Sequence, residues 1–270
     1  MRPLAVATDV DGTLAGADHQ VSRRTQEVVR RLGVRGIPVL LVTGRTELAT
    51  LRLARLMALT APVISCNGAV VTDPVTEDRL QVQPMAAAAA RAACATAERS
   101  GLNPVLFTLD GLWAAHRSAE TEVLATLLAE PVRVGPLAPV IASSTVVKLM
   151  IGGDPSALDD ASPDLRRAIP GLERSMPQFL EAAPTGASKR ESLSWVLDRL
   201  GIPLRSCVGF GDGGNDVQWL ASVGRPVAMA NARPAVLAVA DEVIGHHAQE
   251  AVADYLERMF LTATDSGTNT

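Results

Sequence analysis

Short apolar runs alternate with helix-length amphipathic stretches at both ends of this sequence, and that alternation constrains the fold more than any other feature. Near the start, the runs 4–8, 37–42 and 63–66 read as strands, with helices over 21–32 and 48–59 between them. Val21, Thr25, Val28, Val29 and Leu32 share one side of the first helix. The pattern returns after residue 187. A helix opens at Ser188, runs to Leu200 and stops at Gly201, a residue suited to a left-handed cap. Strands over 207–210, 227–230 and 243–244 follow, with helices over 215–223 and 249–261. Apolar strands separated by helices specify an α/β fold whose parallel sheet is covered on both faces.

Between these two stretches the grammar changes. A helix over 86–100 precedes a strand over 105–109, the dipeptide Asp110-Gly111 and a strand over 112–115. Asp-Gly between two such runs is a hairpin signal. A helix over 120–128, a strand over 146–151, a helix over 158–168 and a final strand pair within 172–181 complete the segment. This reads as an α+β module inserted into the parallel-sheet domain.

Composition excludes several classes. Of the 270 residues, 47% are hydrophobic, ample for a large core, while only 3% are aromatic. Base stacking on an aromatic platform is therefore not expected. The formal net charge of −4 implies no broad basic field, so no nucleic-acid partner is expected. No apolar run approaches the ~20 residues that span a bilayer, and no signal-peptide pattern opens the sequence. The expectation is a cytoplasmic protein without a membrane partner. Cys66, Cys94 and Cys207 lack metal-type spacing and are expected to be packed, reduced thiols.

The polar residues at the strand ends carry the chemistry, because open parallel sheets bind ligands there. The first strand ends in Asp9-Val10-Asp11-Gly12-Thr13-Leu14, the second in Thr43-Gly44-Arg45, and the third leads into Ser65-Cys66-Asn67-Gly68-Ala69. A late strand ends in Gly211-Asp212-Gly213-Gly214-Asn215-Asp216, and Lys189 occupies the first turn of a helix shortly before it. On an extended backbone the side chains of Asp9 and Asp11 point the same way. Two like charges aimed at one volume call for a cation or a shared proton.

In this order, these motifs make the chain similar to the haloacid dehalogenase superfamily phosphatases, and more narrowly to the Cof-type hydrolases. The stretch from Phe179-Leu180-Glu181 to Ala187-Ser188-Lys189 is also typical of them. The resemblance implies a Rossmann-like core over 1–80 and 185–262, an inserted α+β cap over 81–184 and a loose tail over 263–270. It implies a Mg²⁺-dependent phosphomonoester hydrolase acting on a small phosphorylated metabolite, such as a sugar phosphate, through an aspartyl-phosphate.

By the same resemblance Asp9 is the nucleophile, an ordinary carboxylate ionised at neutral pH. Asp11 is the acid and base, kept protonated in the first step by the neighbouring carboxylate. Asp9, the Asp11 carbonyl and Asp212 hold Mg²⁺, with Asp216 behind them. Thr43, Gly44, Lys189 and Asn215 bind phosphoryl oxygens. Arg45 is a candidate substrate contact or a structural salt bridge, and Asn67 a substrate contact or a turn residue. Lys148 is expected to point out of its strand, and His246-His247 to form a polar loop. His19 is unassigned, as are Trp113 and His116 beside the hairpin, which are candidates to face the substrate. A phosphomutase or phosphotransferase shares these motifs, and a non-catalytic phosphometabolite-binding protein is the alternative of another class. The oligomeric state is not legible.

Overall fold

The computed structural model describes residues 3–262; the tail expected from residue 263 lies outside the described residues. Along the chain the strands are β1 (Ala5–Thr8), β2 (Val39–Leu41), β3 (Val63–Ser65), β4 (Val70–Thr72), β5 (Arg79–Val82), β6 (Asn103–Thr108) and β7 (Gly111–Ala114), followed by β8 (Val132–Val134), β9 (Val146–Gly152), β10 (Glu173–Met176), β11 (Phe179–Ala182), β12 (Cys207–Gly211), β13 (Arg225–Met229) and β14 (Glu242–Ile244). The helices are α1 (Arg23–Val34), α2 (Glu47–Leu56), α3 (Ala87–Arg99), α4 (Ala119–Leu128), α5 (Leu137–Ser143), α6 (Pro155–Ala168), α7 (Lys189–Arg199), α8 (Val217–Leu220), α9 (Pro234–Leu237) and α10 (Ala251–Leu256).

Five strands form a parallel sheet in the order β14-β13-β12-β1-β2. Successive side chains of a strand face opposite sides, and β1 divides accordingly. Val6 joins Val28, Leu32, Phe210, Leu256 and Phe260 on the face covered by α1 and α10. Ala5 and Ala7 join Leu193, Val196, Trp219 and Leu220 on the face covered by α7 and α8. The α1 stripe is Thr25, Val28, Val29 and Leu32; Val21 lies ahead of the cap, where Ser22 accepts from the Thr25 amide. Helix α7 starts at the Ser188 cap and ends before Gly201 at φ 67°.

Six strands form a second sheet in the order β10-β11-β9-β6-β7-β8, antiparallel except for the β7–β8 pair. Its hairpin pairs Thr108 with Gly111, so the turn residues are Leu109-Asp110 and the glycine is the first residue of β7. The strand over 63–66 departs from the purely parallel expectation. It touches the main sheet by one parallel bridge, Val42 to Ile64, and then forms an antiparallel sheet with β4 and β5. Cys66 and Asn67, both at positive φ, turn the chain back on itself there.

Two expected helices are also shorter. Residues 215–223 resolve into a tight turn, Gly214–Asp216, and the four-residue α8, because the Asp216 carboxylate ties the turn to the amides of Asp212 and Gly213. The closing helix starts only after Glu250 at φ 55° and loosens beyond Leu256. Among the described residues no helix is long and apolar enough to cross a membrane. All three cysteines are buried and unpaired, and burial pushes each thiol up to about 12.

Candidate active site

At the end of β1 the Asp9 amide donates to the Phe210 carbonyl at 2.9 Å, which seats this residue beside the end of β12. The chain then turns through Val10–Leu14 with Gly12 at φ 76°. A Cβ at position 12 would lie 2.4 Å from Asp212 Oδ2, so glycine alone lets the two loops meet. The approach is held by Thr13 Oγ1, which donates to Asp212 Oδ1 at 2.8 Å, and by Asn231 Nδ2, which donates to the Gly12 carbonyl at 2.8 Å.

Lys189 enters this junction from the start of α7. Its buried ammonium lies 3.1 Å from Asp9 Oδ1 and 2.7 Å from Asp216 Oδ1. Asp216 is fully committed: Oδ1 also accepts from Trp219 Nε1 at 2.9 Å, and Oδ2 accepts from the amides of Asp212 and Gly213 at 3.1 and 2.9 Å. Asp9, Asp212 and Asp216 each offer an oxygen, all within 4.8 Å of one another. Burial, above all, pushes Asp212 up to about 6. Burial and the charges of Asp216 and Asp212 also raise Asp9 well above the usual carboxylate range, against the pull of Lys189. The expectation that Asp9 ionises like an ordinary carboxylate is therefore corrected. Lys189 itself is held above the usual range, because Asp216 and Asp9 outweigh the cost of burying its charge.

Asp11 takes a different partner. Arg45 grips its carboxylate with two hydrogen bonds, Nε to Oδ2 at 2.8 Å and Nη2 to Oδ1 at 2.6 Å, and His19 Nδ1 lies 3.4 Å from Oδ1. Burial raises its pKa, but Arg45 and His19 outweigh that and hold Asp11 below the usual range. A neighbouring carboxylate thus does not keep Asp11 protonated here; the cation across the cleft decides its charge. Each aspartate has its own cation, Lys189 for Asp9 and Arg45 for Asp11. Arg45 is buried in this salt bridge and donates to the His19 carbonyl as well.

Thr43 and Gly44 follow β2 and line the same cleft as Asp9, Asp11, Asp212 and Asn215. Asn67, at φ 56°, joins the turn and the cluster at once: Nδ2 donates to Glu181 Oε1 at 2.9 Å, and Oδ1 accepts from Asn215 Nδ2 at 3.2 Å. Lys148 does not point out of its strand. Strand β9 lies inside the sheet between β11 and β6, and the buried Lys148 ammonium pairs with Glu181 Oε2 at 2.7 Å and donates to the Gly44 carbonyl at 3.0 Å. Burial works against an ionised Glu181, but Lys148 prevails and lowers its pKa. One charge in an otherwise apolar strand was the available sequence signal for this pair.

The cleft, about 260 Å³, has a polar end at these loops and an apolar wall of Phe107, Leu124, Leu127, Leu128, Met150 and Met176. Arg233, which the sequence did not single out, closes one side by donating to the carbonyls of Arg174 and Ser175 at 3.1 and 3.0 Å. Trp113 and His116 do not line the cleft; Trp113 packs against the core of the second sheet beneath Arg133. His247 Nδ1 meets the Ala15 carbonyl at 2.8 Å, with the His246 ring beside it.

A family model described as haloacid dehalogenase-like hydrolase matches residues 6–256. An HMP-PP phosphatase from Serratia proteamaculans is 31% identical over 264 residues, covering 93% of each chain. An HMP-PP phosphatase from Cronobacter sakazakii is 29% identical over 269 residues, again covering 93% of each. The crystal structure of a haloacid dehalogenase-like hydrolase from Bacteroides thetaiotaomicron superposes with a TM-score of 0.87 at 24% identity, covering 96% of this chain and all of that one.

Proposed function

Because this chain belongs to the haloacid dehalogenase-like hydrolases and is a phosphatase of that superfamily, we propose that it hydrolyses a small phosphorylated metabolite through a phosphoaspartate on Asp9, with Mg²⁺ as cofactor. The observation that carries the reading is the cluster of Asp9, Asp212 and Asp216, with Lys189 bound to Asp9 and Asp216, behind the polar end of a cleft that Asp9 and Asp212 line.

This donor set fits Mg²⁺. It offers only oxygen, as that ion requires, and burial and neighbouring carboxylates hold back the ionisation of Asp9 and Asp212. Asp9, the Asp11 carbonyl and Asp212 would hold the ion, with Asp216 fixing the loop behind it. When bound, the ion supplies positive charge that offsets the repulsion between the carboxylates and a phosphate.

The residues divide the remaining work. Thr43, the Gly44 amide, Lys189 and Asn215 hold the phosphoryl oxygens, so the group is oriented before bonds change. An Asp9 oxygen attacks phosphorus as the bond to the leaving oxygen breaks, and Asp11 gives that oxygen a proton. Water then attacks the phosphoaspartate, Asp11 takes its proton, and phosphate leaves with Asp9 restored. Asp11 can donate only after its grip on Arg45 loosens, which gives Arg45 a second part to play as a substrate contact.

The second sheet serves as the cap. Its apolar wall receives the non-phosphate part of the substrate, and the buried Ser175 hydroxyl, without a hydrogen-bond partner among the described residues, is available to a polar substituent. HMP-PP is the first compound to test, and sugar phosphates the second class. The experiment is Mg²⁺-dependent phosphate release across such a panel, with Asp9→Asn as the control. Turnover abolished in Asp9→Asn supports the reading. No turnover of any compound, or an unchanged rate in the variant, overturns it.

A further inference from the structure

We propose that the buried Lys148–Glu181 pair is a positioning element that ties the second sheet to Thr43 and Asn215, so that the phosphoryl site is complete only when that sheet is seated. The proposal rests on the reading of Thr43 and Asn215 as phosphoryl ligands.

The first branch runs through one peptide unit. Lys148 Nζ donates to the Gly44 carbonyl at 3.0 Å, and the N–H of the same planar unit, that of Arg45, donates to Thr43 Oγ1 at 3.2 Å. With one lone pair occupied in this way, the Thr43 hydroxyl keeps its proton for an incoming oxygen. An ammonium at the head of the chain polarises each hydrogen bond after it. The second branch leaves from Glu181. Its Oε1 accepts from Asn67 Nδ2 at 2.9 Å, and Asn67 Oδ1 accepts from Asn215 Nδ2 at 3.2 Å. Asn215 is thereby turned toward the cleft that Thr43 and Gly44 also line.

The pair is built for this rather than for stability. Both side chains are buried, and an apolar pair of similar volume is often at least as stable as a buried ion pair. Strands β9 and β11 carry the two charges, so their contacts with both phosphoryl loops form and break with the sheet as a body. Lys148 touches no reacting atom in this scheme and acts only through Thr43 and Asn215.

A double-mutant cycle tests the relay. Lys148→Met, Thr43→Val and their combination are assayed on 4-nitrophenyl phosphate with MgCl₂ present, and inorganic phosphate is titrated as inhibitor. Lys148→Met is expected to lower kcat/KM by up to about 100-fold, the scale of a misplaced ligand, and to weaken inhibition by phosphate. In the Thr43→Val background the same change is expected to cost clearly less than in the wild type, leaving only the part carried through Asn215, since contacting residues of one network are not additive. Where Lys148→Met does not fold, Lys148→Met with Glu181→Leu removes both charges. That protein is expected to keep its melting temperature and still lose kcat/KM and phosphate inhibition. Additive effects in the cycle, or wild-type kinetics in the charge-free pair, overturn the positioning role. Absence of turnover in the wild type overturns the phosphatase reading and this proposal with it, so the two failures are distinguishable.

Discussion

The ammonium of Lys189 lies 3.1 Å from the Oδ1 of Asp9. Its charge opposes the burial and the neighbouring carboxylates that raise the pKa of Asp9. Removing it as Lys189→Met leaves those influences unopposed. The nucleophile must be ionised, so the acid limb of the kcat/KM profile is expected to move to higher pH. A loss of about 10²–10³ in kcat is expected from the missing oxyanion partner. An acid limb that does not move would show that Lys189 leaves the charge of Asp9 untouched.

Arg45 sets the acidity of Asp11 through two short hydrogen bonds. A general acid works while protonated, so its rate falls as pH rises through its pKa. Arg45→Gln frees Asp11 from the chief influence that lowers its pKa. With an alkyl phosphate, whose leaving oxygen needs a proton, the basic limb of the profile should move upward. A stationary limb would separate Arg45 from the acidity of Asp11.

Burial pushes Asp212 up to about 6. For an acid raised in the folded state, the stability is present below the ordinary carboxylate range and is lost as pH rises through about 6. Without Mg²⁺ the melting temperature should therefore fall across that window. Added MgCl₂ should recover it, more at pH 7 than at pH 5, since the cation must displace the proton. Differential scanning fluorimetry with and without MgCl₂ reads this directly. A larger gain at pH 5 would exclude Asp212 as a ligand.

Leu127 stands partly exposed on the apolar wall. Leu127→Ala should raise KM for substrates with an apolar leaving group by about tenfold, the scale of hydrophobic discrimination in a pocket. Inhibition by inorganic phosphate, which does not reach the wall, should stay at the wild-type value. Equal changes in both would move Leu127 from specificity to structure.

Where local and tertiary signals agree, the sequence is readable. The Ser188 start of α7, the apolar stripe of α1 from Thr25 to Leu32 and the bare apolar runs of β1 and β12 are each set by residues only a few positions apart, and each forms as its pattern implies. What depends on partners distant in sequence is not readable. The inward turn of Lys148 requires Glu181, 33 residues on, and the Gly44 carbonyl from the loop after β2. The charge of Asp11 requires Arg45. Short β4 and β8 carry too few residues to display a period, and the reversal into β4 hinges on positive φ at Cys66 as well as at Asn67, where the asparagine signals a turn but the cysteine does not.

Arg233 grips main-chain oxygens of β10 at residues 174 and 175 rather than their side chains. A carbonyl is the same whatever residue bears it, so this hold is indifferent to which amino acids occupy those positions. Mutation can therefore redraw the surface that Arg174 and Ser175 present to an incoming molecule while the clasp persists. Such a joint lets one scaffold acquire new selectivity without first losing its closure.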